Sequence, residues 1–415
     1  MSLLVIASLD VLIAQDENWT HFRGSNLDAI SQSQNPPVKW DETNIKWKTA
    51  IHGRGWSSPV VYGNQVWLST ASSDGKSLHA VCVDFETGEV IHDIQVFKHD
   101  SVINKHDVNS YATPTSAIED GFVYVHYGSL GTACIDTKSG RIVWTETQLK
   151  CNHIQGPGSS VLLYNNLVIL HYEGVDERFI VALNKKNGEK VWKTHRQEEP
   201  YKAIPWIGTK AYVTPLPVTV DGRDLIISNG SAVINAYDPK TGNEVWSITR
   251  GAESTVSMPF AENGVVYFET GFMKDDEGSF SELMAVNPSG TGNIDETHVL
   301  WSKRIPSMPL ATPVIKNGLI YTVDTRRMMR CIDASNGEDV WSSRMRSQFN
   351  ASPVYANGKI YFSSTRGEVV VIEAGREHEV LAENQLEGEI WATPAILRNS
   401  LLIRTDKYLY RIECF

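Results

Sequence analysis

Residues 136–144 read Asp-Thr-Lys-Ser-Gly-Arg-Ile-Val-Trp, and this spacing decides the fold because the chain repeats it. In each copy a glycine follows an aspartate or asparagine by four residues, and a tryptophan follows it by eight. Further strict copies are Asn184, Gly188, Trp192; Asp238, Gly242, Trp246; and Asp333, Gly337, Trp341. Looser copies begin at Asp84, where His92 holds the tryptophan position, at Asn287, where an insertion delays Trp301, and at Glu373. The recurrence indicates an internal repeat with a period of roughly 40–55 residues.

A second marker gives the number of repeats. A small or apolar residue and a proline precede an apolar run at Ser58-Pro59, Thr113-Pro114, Thr214-Pro215, Met258-Pro259, Thr312-Pro313, Ser352-Pro353 and Thr393-Pro394. Ser159-Ser160 stands in the one gap of this series. We refer to these positions as the anchors, and they predict eight units.

Each unit has the pattern of short β-strands joined by tight turns. Gly63-Asn64 separates two β-rich runs in the first unit, and Asn263-Gly264, Asn317-Gly318 and Asn357-Gly358 recur at the same place. The glycine of the main motif supplies a second turn. We therefore expect a four-stranded antiparallel sheet per unit. Sheets repeated at this period pack radially, which predicts an all-β, eight-bladed β-propeller.

The two ends of the chain predict how the ring closes. The final unit, from Trp391 to Phe415, has room for only three strands. The missing outer strand with its tryptophan occurs at residues 44–51, around Trp47. We expect this N-terminal strand to complete the last blade.

Composition excludes one class of partner. The chain has 415 residues, of which 41% are hydrophobic and 21% are charged, as in folded proteins. Its 38 Lys and Arg stand against 49 Asp and Glu, which gives a net charge of −11, and no basic cluster interrupts this balance. Phosphate backbones require a positive surface, so we exclude nucleic acid.

The first residues have the pattern of a secretion signal. Residues 1–14 are mostly apolar, a polar stretch begins at Asp16, and Ala14 suits a cleavage position. The segment is shorter than the roughly 20 residues that span a bilayer. We expect a signal peptide over 1–14, a single propeller domain over 15–415 and a periplasmic or secreted location. A buried terminal strand is the alternative.

The repeat Asp-x-x-Thr-Gly-x-x-x-Trp resembles that of the pyrroloquinoline-quinone-like (PQQ-like) propellers, found in quinoprotein alcohol dehydrogenases and in the propeller subunit of the bacterial outer-membrane protein assembly machine. The resemblance covers the chain after residue 40. Five segments are also similar to exported propellers of planctomycetes and related bacteria that have no agreed activity: Trp19–Ser25, Gly53–Pro59, Asn109–Pro114, Gly156–Ser160 and Lys185–Trp192. The resemblance implies the fold and leaves cofactor binding open.

The sequence departs from the dehydrogenases at the residues that would serve their cofactor. Those enzymes cover the quinone with a disulfide between adjacent cysteines, whereas Cys82, Cys134, Cys151, Cys331 and Cys414 include no adjacent pair. They also hold calcium with a carboxylate and an asparagine beside a catalytic aspartate, and no motif in this chain places such a set. We therefore expect neither PQQ nor calcium as a cofactor.

Binding residues of a propeller are expected where its inner strands meet the axial channel. The position three residues before each anchor should recur around that mouth, and it holds Trp56, Tyr111, Pro157, Tyr212, Val256, Leu310, Asn350 and Trp391. The loops leading into these positions carry further polar side chains. We predict ligand binding by Trp56, Tyr111, Trp391, Asn350, Arg54, Asn109, His153 and Arg346. The alternative is that the aromatic rings plug the channel or pack its loops.

Motifs for metal binding and catalysis are weak. His106, Asp107, His153 and His171 have suitable ligand chemistry, but no HxH or HExxH spacing joins them, and we predict no metal site. The run Gly158-Ser159-Ser160 lacks the pattern of a nucleophile elbow. A pair of carboxylates assembled from distant blades, as in a propeller-type hydrolase, would leave no trace in linear spacing.

Together these features favour an exported, monomeric binding or scaffold module rather than an enzyme. Its partner would be a protein or a small extracellular ligand such as a saccharide, bound at the axial mouth. The alternatives are a quinone-dependent oxidoreductase, a propeller-type hydrolase and a subunit of an envelope assembly complex.

Overall fold

The structure, a computed structural model, describes residues 18–414. Eight antiparallel sheets follow one another along the chain, which confirms the eight-bladed propeller. The predicted signal peptide lies outside the described residues. No helix within them is long and apolar enough to cross a membrane.

Each blade contains four main strands, which follow one another from the axis outward. Blade 1 has Val60–Tyr62, Gln65–Ala71, Ser77–Asp84 and Val90–Lys98; blade 2 has Ala117–Glu119, Phe122–His126, Thr132–Asp136 and Ile142–Glu146; blade 3 has Leu162–Tyr164, Leu167–Glu173, Arg178–Asn184 and Lys190–His195; blade 4 has Leu216–Val220, Arg223–Asn229, Val233–Tyr237 and Glu244–Thr249. Blade 5 has Phe260–Glu262, Val265–Glu269, Gly278–Val286 and Val299–Ile305; blade 6 has Val314–Lys316, Leu319–Val323, Met328–Asp333 and Asp339–Arg344; blade 7 has Val354–Ala356, Lys359–Ser363, Glu368–Glu373 and Val380–Gln385; blade 8 has Ala395–Leu397, Ser400–Arg404, Tyr408–Glu413 and Ile45–Ala50.

Few elements lie outside this plan. The short strands Ile30–Ser31 and Gly292–Asn293 add parallel edges to blades 7 and 4, and Met273–Asp275 pairs with the third strand of blade 5. The 3₁₀ turns are Glu42–Asn44, Glu199–Ala203 and Trp206–Gly208. The loops that lead from each fourth strand to the next first strand all emerge on one face, which we call the mouth face.

The N-terminal strand closes the ring as predicted. Ile45–Ala50 pairs antiparallel with Tyr408–Glu413, and Trp47 is in register with Arg411. The indole N–H of Trp47 also donates to the carbonyl of Phe85 in blade 1, at 2.9 Å. The first and last parts of the chain therefore hold the circle together.

The repeat tryptophans join each blade to the next one. Trp144, on the fourth strand of blade 2, donates its indole N–H to the Lys185 carbonyl of blade 3 at 2.7 Å. Equivalent bonds run from Trp192 to Pro239, from Trp246 to Pro288, from Trp301 to Ala334 and from Trp341 to Gly375. His92 reaches the Thr137 carbonyl in the same way, at 3.2 Å. Each ring fills the wedge between two sheets, where burial of its large apolar area stabilises the ring of blades.

The aspartate and glycine of the motif form the turn on which the tryptophan packs. Asp84 Oδ1 accepts the backbone N–H groups of Glu86 and Thr87 at 2.9 and 2.8 Å. Gly88 then has φ +76°, and a Cβ placed there would lie 2.7 Å from Cγ of Trp47. Glycine is therefore needed here for both its backbone conformation and its lack of a side chain.

Residues 18–31 lie against the inner edges of the blades. First strands expose unpaired backbone groups toward the axis, and this segment satisfies several of them. Trp19 exchanges both backbone hydrogen bonds with Val61, Thr20 accepts from the Ile118 N–H, and Ala29 accepts from Tyr355. Arg23, fully buried, donates to the carbonyl of Thr312 at 2.7 Å. The segment thus contacts blades 1, 2, 6 and 7 from inside the channel.

Candidate functional site

A cavity of about 390 Å³ occupies the axis below the mouth face. Its aromatic lining residues are Phe22, Trp56, Tyr212 and Trp391; its amides are Asn109, Gln155 and Asn350; its apolar residues include Val256, Met258, Met308 and Leu310. Within the described residues, the lining contains no Asp, Glu, Lys or Arg. The volume is typical of small-molecule sites, and the wall is made of apolar, hydroxyl and amide groups together with the imidazole of His106.

A belt of side-chain hydroxyls surrounds the cavity and explains the small residues at the anchors. The backbone N–H of Ser58 in blade 1 donates to Thr115 Oγ1 in blade 2 at 2.9 Å. The same bond links Thr115 to Ser160, Ser160 to Thr214, Met258 to Thr312, Thr312 to Ser352 and Ser352 to Thr393, at 3.0 to 3.1 Å. In blade 2 the hydroxyl comes from Thr115, after the proline, rather than from Thr113. The belt fixes the inner strands and places hydroxyl groups along the cavity wall.

At the junctions of blade 4 with 5 and of blade 8 with 1, a different side chain crosses between the blades. Asn229 Nδ2 donates to the Glu269 carbonyl of blade 5 at 2.9 Å. Arg404 Nη1 donates to the Ser69 carbonyl of blade 1 at 2.7 Å and to Ser57 Oγ at 2.6 Å. Burial lowers the pKa of Arg404 to about 9. Asn229 and Arg404 are each the last residue of the second strand of their blade. The same position of the blade therefore provides the contact at both junctions.

Two predicted tryptophans stack across the closing junction. The rings of Trp56 and Trp391 have centroids 5.3 Å apart and an interplanar angle of 16°. The guanidinium of Arg54 lies 4.9 Å from the centre of the Trp56 ring, and the Trp56 N–H donates to the Val108 carbonyl at 3.1 Å. Trp56 is buried and Trp391 is half-buried. Trp391 therefore presents the more accessible aromatic surface to the cavity.

Two predicted amides also line the cavity, and their partners orient them. Asn109 Nδ2 donates to the carbonyls of Gln155 and Pro157 at 2.8 and 3.1 Å. Asn350 accepts from Gln348 Nε2 at 3.2 Å. With Trp56 and Trp391, four of the eight predicted ligand-binding residues lie in the lining.

The other four predicted residues lie outside the lining. Tyr111 is buried and donates its hydroxyl to the Ile103 carbonyl at 2.9 Å. His153 is buried beside Cys151, with Nε2 3.2 Å from Sγ, and burial lowers the pKa of His153 to about 4. Arg54 is exposed above Trp56, and Arg346 is exposed on the loop before Asn350. Their role in ligand binding stays a prediction.

Sequence reasoning missed several lining residues. Phe22 reaches the cavity from the N-terminal segment, and Gln155, Met258 and Met308 complete the wall. The segment around Phe22 was notable only for its resemblance to other propellers. Its place in the channel depends on contacts with blades that are distant in sequence.

Buried polar groups form a network behind the cavity. Glu173 Oε2 lies 2.9 Å from Arg196 Nε and 3.4 Å from His171 Nε2. Glu173 Oε1 accepts from the Tyr201 hydroxyl at 2.9 Å and from the Ser231 N–H at 2.8 Å. Burial raises the pKa of Glu173, and the charge of Arg196 opposes that shift.

A carboxylate, an asparagine and a second carboxylate end the second strands of three consecutive blades. They are Glu173, Asn229 and Glu269, all buried, and Asn229 Oδ1 and Glu269 Oε2 have no hydrogen-bond partner among the described residues. No sequence motif joins these three residues, which the fold brings to equivalent positions of neighbouring blades. The available signal was a polar residue ending an apolar strand, as in Leu-Val-Ile-Leu-His-Tyr-Glu at 167–173.

The set does not fit the calcium and quinone that the quinoprotein dehydrogenases bind. Glu173 is already paired with Arg196. The positive charge of Arg196 compensates the negative charge that would attract a cation. Burial raises the pKa of Glu269 to about 8, which keeps that carboxyl protonated at neutral pH. PQQ carries several carboxylates, whereas no Lys or Arg within the described residues lines the cavity, and the imidazole of His106 is its one basic group there.

The predicted metal candidates do not converge. His106 accepts the Val108 N–H at 3.3 Å, His153 contacts Cys151, and His171 contacts Ser228 at 2.8 Å. Among residues 18–414 the group whose ligand atoms lie within mutual reach is a different one, formed by His52, His79 and Asp93. All five cysteines are free.

Comparison with known proteins gives one family and several relatives. The family described as outer membrane protein assembly factor BamB matches residues 26–154, 103–343 and 176–412. Tetrathionate hydrolase of Acidithiobacillus ferrooxidans is 24% identical over 212 residues, which are 46% of this chain and 36% of that protein, so the match spans about a third of this relative's length.

Two solved structures share the fold over most of the chain. BamB from Moraxella catarrhalis superimposes with a TM-score of 0.59 at 13% identity, covering 88% of this chain and 98% of that one. Quinohemoprotein alcohol dehydrogenase from Comamonas testosteroni gives a TM-score of 0.68 at 13% identity, covering 98% and 82%. At such identities the likeness concerns the fold alone.

Proposed function

The chain belongs to the family described as outer membrane protein assembly factor BamB, and we propose that it is an exported binding or scaffold module whose axial cavity takes a neutral ligand. The observation that carries the proposal is the lining, which combines a tryptophan surface, amides and hydroxyls without an Asp, Glu, Lys or Arg in the described residues. Charged ligands would lose hydration there without gaining an ion pair with a Lys, Arg, Asp or Glu side chain of the described residues.

The two walls of the cavity favour a ligand with an apolar face and hydrogen-bonding edges. Trp391 and Asn109 lie on the side of blades 8, 1 and 2, and Val256 and Leu310 lie on the side of blades 5 and 6. A pyranose ring has such faces and edges, since its C–H groups stack on aromatic rings while its hydroxyls bond to amides. A saccharide is therefore the ligand class proposed.

Binding to a panel of neutral and charged oligosaccharides, followed by calorimetry, tests this function. The informative variant is Trp391→Ala, and the matched control is Trp206→Ala, because Trp206 is a 64% exposed tryptophan on another mouth-face loop. We expect neutral sugars to bind, and Trp391→Ala to weaken binding at least tenfold while Trp206→Ala leaves it unchanged. Equal affinities of the two variants would overturn the proposal.

A protein partner is the other form of a binding module, and one surface favours it. Trp206 and Ile207 are 64% and 54% exposed on the loop between blades 3 and 4. Adjacent exposed apolar side chains are typical of contact sites. Trp206→Ala would reduce capture of such a partner and Trp391→Ala would not, which separates the two kinds of binding.

A quinone-dependent oxidoreductase is the second candidate function. Glu173, Asn229 and Glu269 favour it by their residue types and consecutive blades. The pairing of Glu173 with Arg196 argues against it, as does a cavity wall that has no Lys or Arg among the described residues. Adding PQQ and calcium chloride to the purified protein should produce no saturable absorbance change and no dye reduction with alcohols. A tightly bound chromophore would instead favour the quinone-dependent oxidoreductase over the binding module.

A further inference from the structure

Two histidines converge on one aspartate at the junction between the last blade and the first. His52 follows the strand Ile45–Ala50 of blade 8, whereas His79 and Asp93 lie on the third and fourth strands of blade 1. His52 Nε2 is 2.9 Å from Asp93 Oδ2, and His79 Nδ1 is 2.8 Å from Asp93 Oδ1. None of the three lines the axial cavity.

The donor atoms have the mutual distances of a metal site. All three lie within 4.8 Å of one another, and the imidazole rings meet nearly at right angles, at 83°. Tetrahedral sites with bonds of about 2.0–2.2 Å hold their ligand atoms about 3.3–3.6 Å apart. Shifts below about 1 Å would therefore place a cation between the three groups.

Two sets of hydrogen bonds already orient the histidines. His79 Nε2 is 2.8 Å from Ser77 Oγ, which accepts from Gln95 Nε2 at 2.5 Å. The His52 carbonyl accepts from Thr70 Oγ1 at 2.5 Å, which fixes the backbone at that residue. A hydrogen bond to the second imidazole nitrogen is the usual support of a metal-binding histidine.

We propose that His52, His79 and Asp93 bind a divalent transition-metal ion, with Zn²⁺ as the best match. Two imidazoles and one carboxylate are a ligand set that Zn²⁺ accepts, and hard cations such as Mg²⁺ prefer oxygen ligands. The His52 and His79 side chains are 47% and 21% exposed, so the ion can enter from solvent and water completes its coordination. On binding, the ion replaces the two hydrogen bonds to Asp93, and the protons on His52 Nε2 and His79 Nδ1 move to the other ring nitrogen or to solvent.

The bound ion would act as a clamp on the ring. Its ligands come from both sides of the closing junction, where the hydroxyl belt is replaced by Arg404. A ligand that binds only the folded state stabilises it by mass action. Zn²⁺ should therefore raise the melting temperature of the protein.

Calorimetry of the full chain, freed of metal by chelator and dialysis, tests the site with ZnCl₂ as the probe. We expect one Zn²⁺ per chain, with affinity reduced at least tenfold in Asp93→Asn and in His79→Ala. The matched control is His195→Ala, because His195 also faces a single carboxylate, Glu177, at 3.5 Å. Its affinity should equal that of the wild type.

A second measurement uses the wild-type protein, so it tests the site even if a variant folds poorly. Co²⁺ added to the wild-type protein should give the visible absorption of a low-symmetry imidazole complex, and an excess of Zn²⁺ should abolish it. Asp93→Asn preserves the shape of the side chain, so its circular dichroism should match the wild type. Zn²⁺ binding of equal strength in the wild type and Asp93→Asn, or no Zn²⁺ binding at all, would overturn the site.

Discussion

Trp56 of blade 1 stacks on Trp391 of blade 8 with ring centroids 5.3 Å apart, so the same contact closes the ring and forms one wall of the cavity. The guanidinium of Arg54 also lies over the Trp56 ring, 4.9 Å from its centre. Trp56 thereby supports Trp391, and Trp391 meets the ligand in the proposed function. Structural and binding roles of the two rings can be separated by substitution.

The stack predicts coupling between the two tryptophans. In a double-mutant cycle of Trp56→Ala and Trp391→Ala, the two substitutions should be non-additive by about 0.5–1.5 kcal/mol in the free energy of unfolding, as for other aromatic pairs. Urea denaturation of the four proteins measures this energy. Strictly additive losses would show that the stack contributes nothing to stability.

Removing Trp47 should loosen the closing blade. Trp47→Ala deletes a buried ring and its bond to Phe85, which should cost about 3–5 kcal/mol in the free energy of unfolding. Hydrogen exchange should increase in Ile45–Ala50 and Tyr408–Glu413 before the other blades. Trp192→Ala, which removes the same kind of ring from blade 3, is the control. Identical exchange patterns in the two variants would contradict the closing role of Trp47.

Gly88 and Gly63 provide a matched pair of glycine substitutions. Both have positive φ, +76° and +55°, but a Cβ at Gly88 would meet Trp47 at 2.7 Å while one at Gly63 meets nothing within 4 Å. Gly88→Ala should lower the melting temperature more than Gly63→Ala, with a loss of about 1–3 kcal/mol for backbone strain and the clash together. Equal losses would mean that the contact with Trp47 is unimportant.

Glu269 should make stability depend on pH. Burial raises its pKa from 4.5 to about 8, so the folded state retains a proton that the unfolded state releases. The free energy of unfolding should therefore fall as pH rises from about 4.5 to about 8 and be constant above that range. Glu269→Gln should remove this component, because glutamine cannot lose a proton. Urea denaturation of the wild type and of Glu269→Gln across that pH range measures this dependence. If the free energies of unfolding of the two proteins change with pH in parallel, the raised pKa of Glu269 is refuted.

Local patterns were enough to predict the fold. In each strict copy the aspartate or asparagine, the glycine and the tryptophan lie within nine residues, and the bond of the tryptophan to the next blade follows from the repeat itself. Ring closure was also predictable, because the segment around Trp47 has the pattern of an outer strand, whereas the last unit, from Trp391 to Phe415, has room for only three strands. The hairpin turns and the apolar strands agree with the same arrangement.

The site was predictable only in part because it depends on contacts between blades. The anchor spacing places Trp56 and Tyr111 at equivalent positions, but the Tyr111 hydroxyl turns to Ile103 while Trp56 meets Trp391. Likewise, His52 and Asp93 are separated by about forty residues and share no motif. Spacing along the chain determines where in the blade a residue lies. The neighbouring loops determine which way its side chain points.

A crystal structure of the protein with the tightest neutral saccharide from the binding panel tests the central claim most directly. We expect sugar density in the axial cavity, in contact with the indole of Trp391 and the amides of Asn109 and Asn350. A panel without any binder, or a sugar bound away from these three side chains, would contradict the proposed function.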